Sequence, residues 1–352
     1  MADPEVSPIE IAIARYRAAL LRRDQEAASR LVAAYGAIWQ KLQEALKAIE
    51  AGIEAGKDDA WIRERIEALV RQVEEEVERY AIYADQEVAA IIQQMIPEGL
   101  DHTQKMVQLT LGGYGEAAIK AYWNTLPADA VQVMLGMTGD DSPLYQRMEN
   151  QLGPAVAKQV RQALVEGVAL GYNPKRIHQE LRTKLGEGLT WSLSATRTAQ
   201  LWAYREATRA GYLANGNLVT GWIWHSALDA RVCLSCWAQH GSVHPLEEPL
   251  RDHWSGRCAM IPQTRSWADM GFEGIPETTT QIPPGEEIFK GLDPETQRQI
   301  MGPAMWQAWQ DGKFDFRDLS VPYDDAVYGQ MYVAASLKRL LGREAQRYYK
   351  VA

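Results

Sequence analysis

The stretch Trp224-His225-Ser226-Ala227-Leu228-Asp229-Ala230-Arg231-Val232-Cys233-Leu234-Ser235-Cys236, followed by Gly241 and closed by Asp252-His253-Trp254-Ser255-Gly256-Arg257-Cys258, decides how this chain is read. All three cysteines and four of the six histidines lie between His225 and Cys258. Thiolates and imidazoles are the donors zinc prefers, and a Cys-x2-Cys turn presents two thiolates to one ion. Cys233 and Cys236 form that pair. His253 and Cys258 complete a tetrahedral set with the spacing Cys-x2-Cys-x16-His-x4-Cys. The spacing equally allows His240 or His244 in place of His253. The plain alternative is three cysteines buried for packing alone. Four protein ligands close the coordination sphere and leave no position for an activated water, so the expected ion is structural zinc.

The neighbouring residues supply little catalytic equipment. Asp252 beside His253 invites comparison with metal-dependent nucleases that pair an Asp-His with a later Asn, but no Asn follows Asn217. The chain has no P-loop, no Gly-x-Gly-x-x-Gly opening a helix, no Gly-x-Ser-x-Gly and no His-Glu-x-x-His. Asp229 and Arg231 read as a local ion pair that orders the turn. Nine of the twelve tryptophans lie between Trp191 and Trp309. Trp222, Trp224, Trp237 and Trp254 read as core covering a metal-stapled module too small for a deep core of its own.

Outward from this module the pattern is helical. Ser7-Pro8-Ile9-Glu10 is a capping box with Pro at the first helical position. Apolar residues from Ile9 to Ile53 recur at steps of three and four, which predicts a helix over 8–55 with a break near Arg22–Asp24. Lys57-Asp58-Asp59 marks a turn and a new cap. A second stripe runs Ile62, Ile66, Leu69, Val73, Val77, Tyr80, Ala84, Val88, Ile91, Met95 and is expected to stop at Pro97. Two such helices on a short link pack antiparallel, as a bundle or as a projecting arm. Residues 100–215 continue mostly helical, with interruptions at Gly112-Gly113, Gly139-Asp140-Asp141 and Gly171-Tyr172-Asn173-Pro174. Trp191 to Gly211 reads as a helix, Leu218 to His225 as a strand, and Gly271 to Gly285 as a linker. Glu286 to Leu319 reads as a helical module, and Met331 to Leu341 as a further amphipathic helix.

Composition limits the classes. A chain of 352 residues supports two or three domains, and its charge of −9 argues against a dedicated nonspecific DNA binder. No stretch reaches the roughly 20 apolar residues of a membrane span. The acidic start Met1-Ala2-Asp3-Pro4-Glu5-Val6 lacks the pattern of a secretory signal, so synthesis in a cytoplasm is expected. In a reducing compartment, clustered cysteines read as metal ligands.

These residues resemble the Mu F-like minor head, or head morphogenesis, proteins of tailed bacteriophages. The resemblance is carried by Arg197-Thr198, Tyr212, Gly221-Trp222-Ile223-Trp224, Asp229-Ala230-Arg231-Val232-Cys233-Leu234-Ser235-Cys236 and Gly241, in that order. Gly171 to Ile177 looks like the segment that leads into the family's core. Leu292 to Pro303, with Trp309 and Gly312-Lys313, is similar to the helical module that follows it. Two departures stand out. Ala199-Gln200 replace the usual acid after Arg-Thr, and the closing motif has Gly256 where the family often has the first of two cysteines, which leaves Cys258.

The fold class expected is mainly α with a small α+β module: a long N-terminal helical hairpin or bundle plus a zinc-stapled β-turn module. Its divisions are 1–150 helical, 151–270 the core with the Cys/His module, 271–285 a linker and 286–352 a C-terminal helical module. The metal ligands expected are Cys233, Cys236, His253 and Cys258, around zinc. The resemblance implies a non-enzymatic virion protein inside the capsid at the portal vertex, acting in assembly, DNA packaging or ejection. Its implied partners are the portal protein and other capsid or scaffold proteins, with possible contact to packaged DNA and with neither a membrane nor a small-molecule substrate. The alternative is a zinc-dependent nucleic-acid-binding protein, or a nuclease or toxin-associated protein.

Overall fold

The structure is a computed structural model that describes residues 7–127, 174–229, 231–277, 282–325 and 329–349. It is mainly helical with small antiparallel sheets. The chain forms two compact units: Met1–Ala18, Met95–Val131 and Leu201–Ala352 make one, and Ala19–Gln94 with Gln132–Gln200 the other. Each unit is assembled from separate stretches of the chain. The expected interruptions at Gly139 and Gly171 lie outside the described residues.

Helix α1 spans Pro8–Glu54 and α2 spans Asp59–Thr110. The Ser7 hydroxyl accepts from Glu10 N at 3.2 Å and Glu10 Oε2 accepts from Ser7 N at 3.0 Å, which closes the capping box at the start of α1. Asp58 Oδ1 accepts from Trp61 N at 2.9 Å and caps α2. In the second unit Arg23 bonds Gln94, Arg30 bonds Glu87 and Lys41 bonds Glu76. Partner numbers fall by the same steps as the α1 numbers rise, which defines an antiparallel pair. Leu31, Leu42, Leu69, Val73, Val77 and Val88 form its buried seam, with Tyr35 edge-on to Tyr80 at 4.8 Å. A Cβ on Gly52 would lie 2.1 Å from the Trp61 ring, so a larger residue there would have to displace that ring beside the connecting turn.

Two helix expectations need correction. No break occurs at Arg22–Asp24, because the polar residue that interrupts the stripe has a partner. Asp24 is buried, and its Oδ2 accepts from Arg197 Nη2 at 2.6 Å and Nε at 2.9 Å. Nor does α2 stop at Pro97, which lies inside the helix. A mid-helix proline costs ~3 kcal/mol, whereas burial of a large aliphatic side chain returns about 1.5–3 kcal/mol. Ile91, Ile92, Met95 and Ile96, all buried just before Pro97, outweigh it together.

After the short helix α3 (Gly115–Tyr122), helix α4 runs over Pro174–Ala214. In the second unit its Ser192 bonds Tyr80, and Gln200 Nε2 donates to Leu20 O at 2.9 Å. In the first unit it leads through Asn215 into β1 (Val219–His225), the centre of a sheet ordered β2-β1-β3, with β2 at Val243–Pro245 and β3 at Ala259–Thr264. Both pairings are antiparallel, with Trp222 opposite His244 and Pro262. Alternation along β1 sorts its side chains. Trp222 and Trp224 join Tyr212, Val107, Leu111, Cys236, Cys258 and Met260 in one core. Ile223 and Ile261 meet Ile9, Ala12, Ile13 and Met106 in another.

Helix α5 (Leu234–Gln239) carries Cys236, with Cys233 at its N-cap. Beyond the linker stand α6 (Gly285–Lys290), α7 (Pro294–Met301) and α8 (Pro303–Gln310). They surround Phe289, whose ring lies 5.5 Å from Trp237, 5.5 Å from Trp309 and 5.2 Å from Phe316. The helix expected over Met331–Leu341 is a strand in its first four residues. Here β4 (Ser320–Asp325) pairs with β5 (Gly329–Ala334), and only Leu337–Leu341 is helical, as α9. Val321 opposite Val333 and Tyr323 opposite Met331 suit a pleated pair. The helix starts anew where Ser336 Oγ accepts from Arg339 N.

Candidate metal centre

The site is assembled by three local devices. The first is the turn after β1, where Leu228 takes a positive φ of 49°. Asp229 Oδ1 accepts from Arg231 N at 2.9 Å. Asp229 is gripped mainly by Arg257, at 2.6 Å to each carboxylate oxygen, with Arg231 at 3.6 Å, so the local pair read from sequence is the minor partner. The second is α5. Cys233 is its N-cap, and Cys236, one turn on, lies on the same side, with the two Sγ atoms 3.5 Å apart. Trp237 follows into the Phe289 aromatic cluster and anchors this helix. The third is the loop Asp252–Cys258, which contains Ser255 at φ 57° and leads into β3.

His253 Nε2 stands 3.1 Å from Cys233 Sγ and 3.3 Å from Cys236 Sγ. A tetrahedral zinc with bonds near 2.3 Å to sulfur and 2.0–2.1 Å to nitrogen separates its ligand atoms by roughly 3.5–3.8 Å, so these three donors are close to the required spacing. The other imidazole nitrogen, Nδ1, lies 2.9 Å from Trp254 O, which accepts its proton and leaves Nε2 as the donor to a metal. A second group, Cys236, Asp252 and Cys258, shares Cys236 with the first and is wholly buried. Cys258 Sγ lies 3.4 Å from Ser226 Oγ, which itself donates to Cys236 O at 2.7 Å. Together these five side chains can hold a metal ion.

The structure brings all four sequence-predicted ligands into this cluster, Cys258 through the second group. His240 and His244 are engaged elsewhere. His240 Nδ1 accepts from Ser226 N at 3.0 Å, while His244 stacks on Trp222 at 4.3 Å and lies 3.1 Å from Glu248.

The donors are electrostatically prepared. The contact with Cys236, helped by His253, pulls the Cys233 thiol down to about 4 against the effect of burial. Cys236 is pushed up by the same contact, by Cys258 and by burial. Burial opposes a charge on His253, but the Cys233 and Asp252 anions raise it to about 10. A cation taking these donors would displace the protons they share.

Sequence reasoning missed the residue that holds the loop. Arg205 on α4 donates from Nη2 to Asp252 Oδ2 at 2.7 Å and to Gly256 O at 2.8 Å, and from Nε to Cys258 O at 3.0 Å. It lies 47 residues before Asp252, on a helix whose spacing gives no sign of the contact. The departure at Gly256 has a local cause: a Cβ there would lie 2.1 Å from Asp252 Oδ2, in space the carboxylate fills. Comparison with protein families, with characterised proteins and with solved structures finds no match. The motifs and this geometry therefore carry the functional reading.

Proposed function

We propose that this chain is a non-enzymatic minor head protein of a tailed bacteriophage, held at the portal vertex inside the capsid, whose Cys/His centre takes a structural zinc. The observation that carries the structural part is the convergence of Cys233, Cys236 and His253, with Cys258 joined to Cys236 in a second, overlapping cluster. Thiolate-rich donor sets of this kind suit zinc and exclude the hard, oxygen-seeking cations. Four such ligands complete the sphere, and Asp252, the nearest candidate base, already accepts from Arg205, His253 N and Cys258 N. This counts against the hydrolytic alternative.

The placing at the head rests on the motif order. Gly221-Trp222-Ile223-Trp224 forms the central strand, Asp229 orders the turn, and the Cys pair follows at once, so the matches from Tyr212 onward fall in one unit, while Arg197-Thr198 belongs to the other. Long paired helices offer the extended faces that a helical partner such as a portal would need. Among the described residues no helix is long and apolar enough to cross a membrane.

Mass spectrometry of procapsids and mature particles tests the reading. Low-copy recovery beside the portal protein is the expected result. Absence from both would end the head assignment, and assays of the isolated protein for zinc-dependent action on nucleic acid would then decide the alternative.

A further inference from the structure

Asp252 sits among the candidate ligands, yet its oxygens are already committed. Oδ2 accepts from Arg205 Nη2 at 2.7 Å and from Cys258 N at 3.0 Å; Oδ1 accepts from His253 N at 2.9 Å. Its side chain is 1% exposed and that of Arg205 8%. The carboxylate therefore bonds the backbone of both loop ligands, His253 and Cys258. Arg205 adds bonds to the carbonyls of Gly256 and Cys258, and Gly256 N closes the loop onto His253 O at 2.9 Å. Asp252 Oδ1 also lies 3.5 Å from Cys236 Sγ and 3.6 Å from His253 Nε2, longer contacts than the 2.7–3.0 Å bonds that commit the carboxylate to Arg205 and the loop backbone.

We infer that Asp252, clamped by Arg205, is the positioning residue of the metal centre and not one of its ligands. The pair fixes the Asp252–Cys258 loop so that His253 and Cys258 face the Cys233–Cys236 turn before an ion arrives. The inference rests on the reading of the cluster as a metal site. Charge supports the division of labour. A zinc held by three thiolates and a neutral imidazole carries a net negative charge, so an anionic carboxylate in contact with it needs its own cation. Arg205 supplies one. Outer groups of this kind set ligand geometry, and their loss weakens metal binding by about 10–100-fold.

The test uses the full chain, purified metal-free under reducing conditions and titrated with cobalt(II), then with zinc against a chromophoric chelator. In wild type the thiolate-to-cobalt absorption should have the intensity of three thiolates. Cys258→Ser should lower it by about a third, since two thiolates then remain. Asp252→Asn should keep the wild-type spectrum while weakening zinc binding about 10–100-fold, and Arg205→Lys should weaken it less than Arg205→Met. If Asp252→Asn changes the cobalt spectrum while Cys258→Ser leaves its intensity intact, Asp252 is a ligand and the inference is overturned. Unchanged zinc affinity in both Asp252→Asn and Arg205→Met overturns it as well. Failure of wild type to bind cobalt or zinc would instead sink the metal reading beneath it. Hydrogen exchange on the metal-free wild type is independent of whether any variant folds. The amides of Gly256 and Cys258 should be protected, and exchange at unprotected rates would overturn the inference.

Discussion

Arg205 Nη2 lies 2.7 Å from Asp252 Oδ2, the two side chains being 8% and 1% exposed, and the pair ties a helix to the loop that carries two candidate metal donors. A buried ion pair adds little over a well-packed apolar pair, but removing one partner strands the other's charge, at a cost of about 3–5 kcal/mol. Arg205→Met should therefore destabilise the chain by about that amount, read as a lower urea midpoint with an unchanged slope. Adding Asp252→Asn in the same chain should restore part of the loss, because the stranded charge is gone. A double variant no more stable than Arg205→Met would show that the pair does not act as a unit.

Gly256 is a second, independent probe of the same loop. A methyl at this position would stand 2.1 Å from the Asp252 carboxylate, so Gly256→Ala must displace either the carboxylate or the loop. Overpacking of this kind costs about 1–3 kcal/mol. Gly36, whose added Cβ would meet nothing within 4 Å, is the control. As an exposed position inside α1, its Ala variant should stabilise by about 0.5–1 kcal/mol. Urea midpoints moving in opposite directions are the expected result, and equal shifts would dismiss the packing argument.

Asp24 and Arg197 should respond more mildly. Asp24 is nearly buried, but Arg197 is 42% exposed and keeps solvent when its partner is lost. Screening therefore reduces the value of the pair to about 1 kcal/mol, well below that expected for Arg205. Asp24→Ala should cost about that much in urea unfolding. A loss as large as that of Arg205→Met would refute the ranking by burial.

The contrast between these pairs marks what the sequence could reveal. The stripe from Leu31 to Ile49 and its partner from Ile66 to Met95 were legible because helical period and burial coincide. The Cys/His spacing was legible because metal donors are rare residues. Asp24 looked like a break because its partner is 173 residues away. Pro97 looked like a stop because local propensity cannot weigh tertiary burial. The β4–β5 hairpin was misread because Met331-Tyr332-Val333 is too short to separate a two-residue from a 3.6-residue period. Arg205 carried no local signal at all.

Two histidines outside the donor set give a pH signature. Burial, together with Arg17, holds His240 down at about 4, and burial, Arg17 and His240 hold His225 down at about 2. Arg17 donates to His225 Nδ1 at 2.9 Å, which requires the neutral ring with its proton on Nε2. Both rings are neutral in the fold and take up protons near pH 6.5 when unfolded. The unfolded chain thus binds more protons as pH falls below about 6.5, and stability drops there. The His240 contribution is lost between about pH 6.5 and 4, at up to about 1.4 kcal/mol per pH unit. His240→Asn should lessen the slope of stability between about pH 4 and 6.5 and leave the share of His225. An unchanged slope would show that His240 is not the group responsible.

Metal removal should act on one unit and spare the other. Every candidate ligand belongs to the unit containing Leu201–Ala352, and none to the helical unit Ala19–Gln94 with Gln132–Gln200. Binding that favours only the folded form stabilises it by about 4 kcal/mol when free ion exceeds Kd by a thousandfold. Trp222, Trp224 and Trp237 are buried beside the site and report its opening by fluorescence. The exchange of amides in the helix pair around Leu42 and Val77 reports the other unit. A chelator should lower the fluorescence midpoint by several degrees and leave protection at Leu42 and Val77 in place. Equal loss in both would mean that the two units unfold as one. No loss in either would leave the three cysteines with packing as their only role.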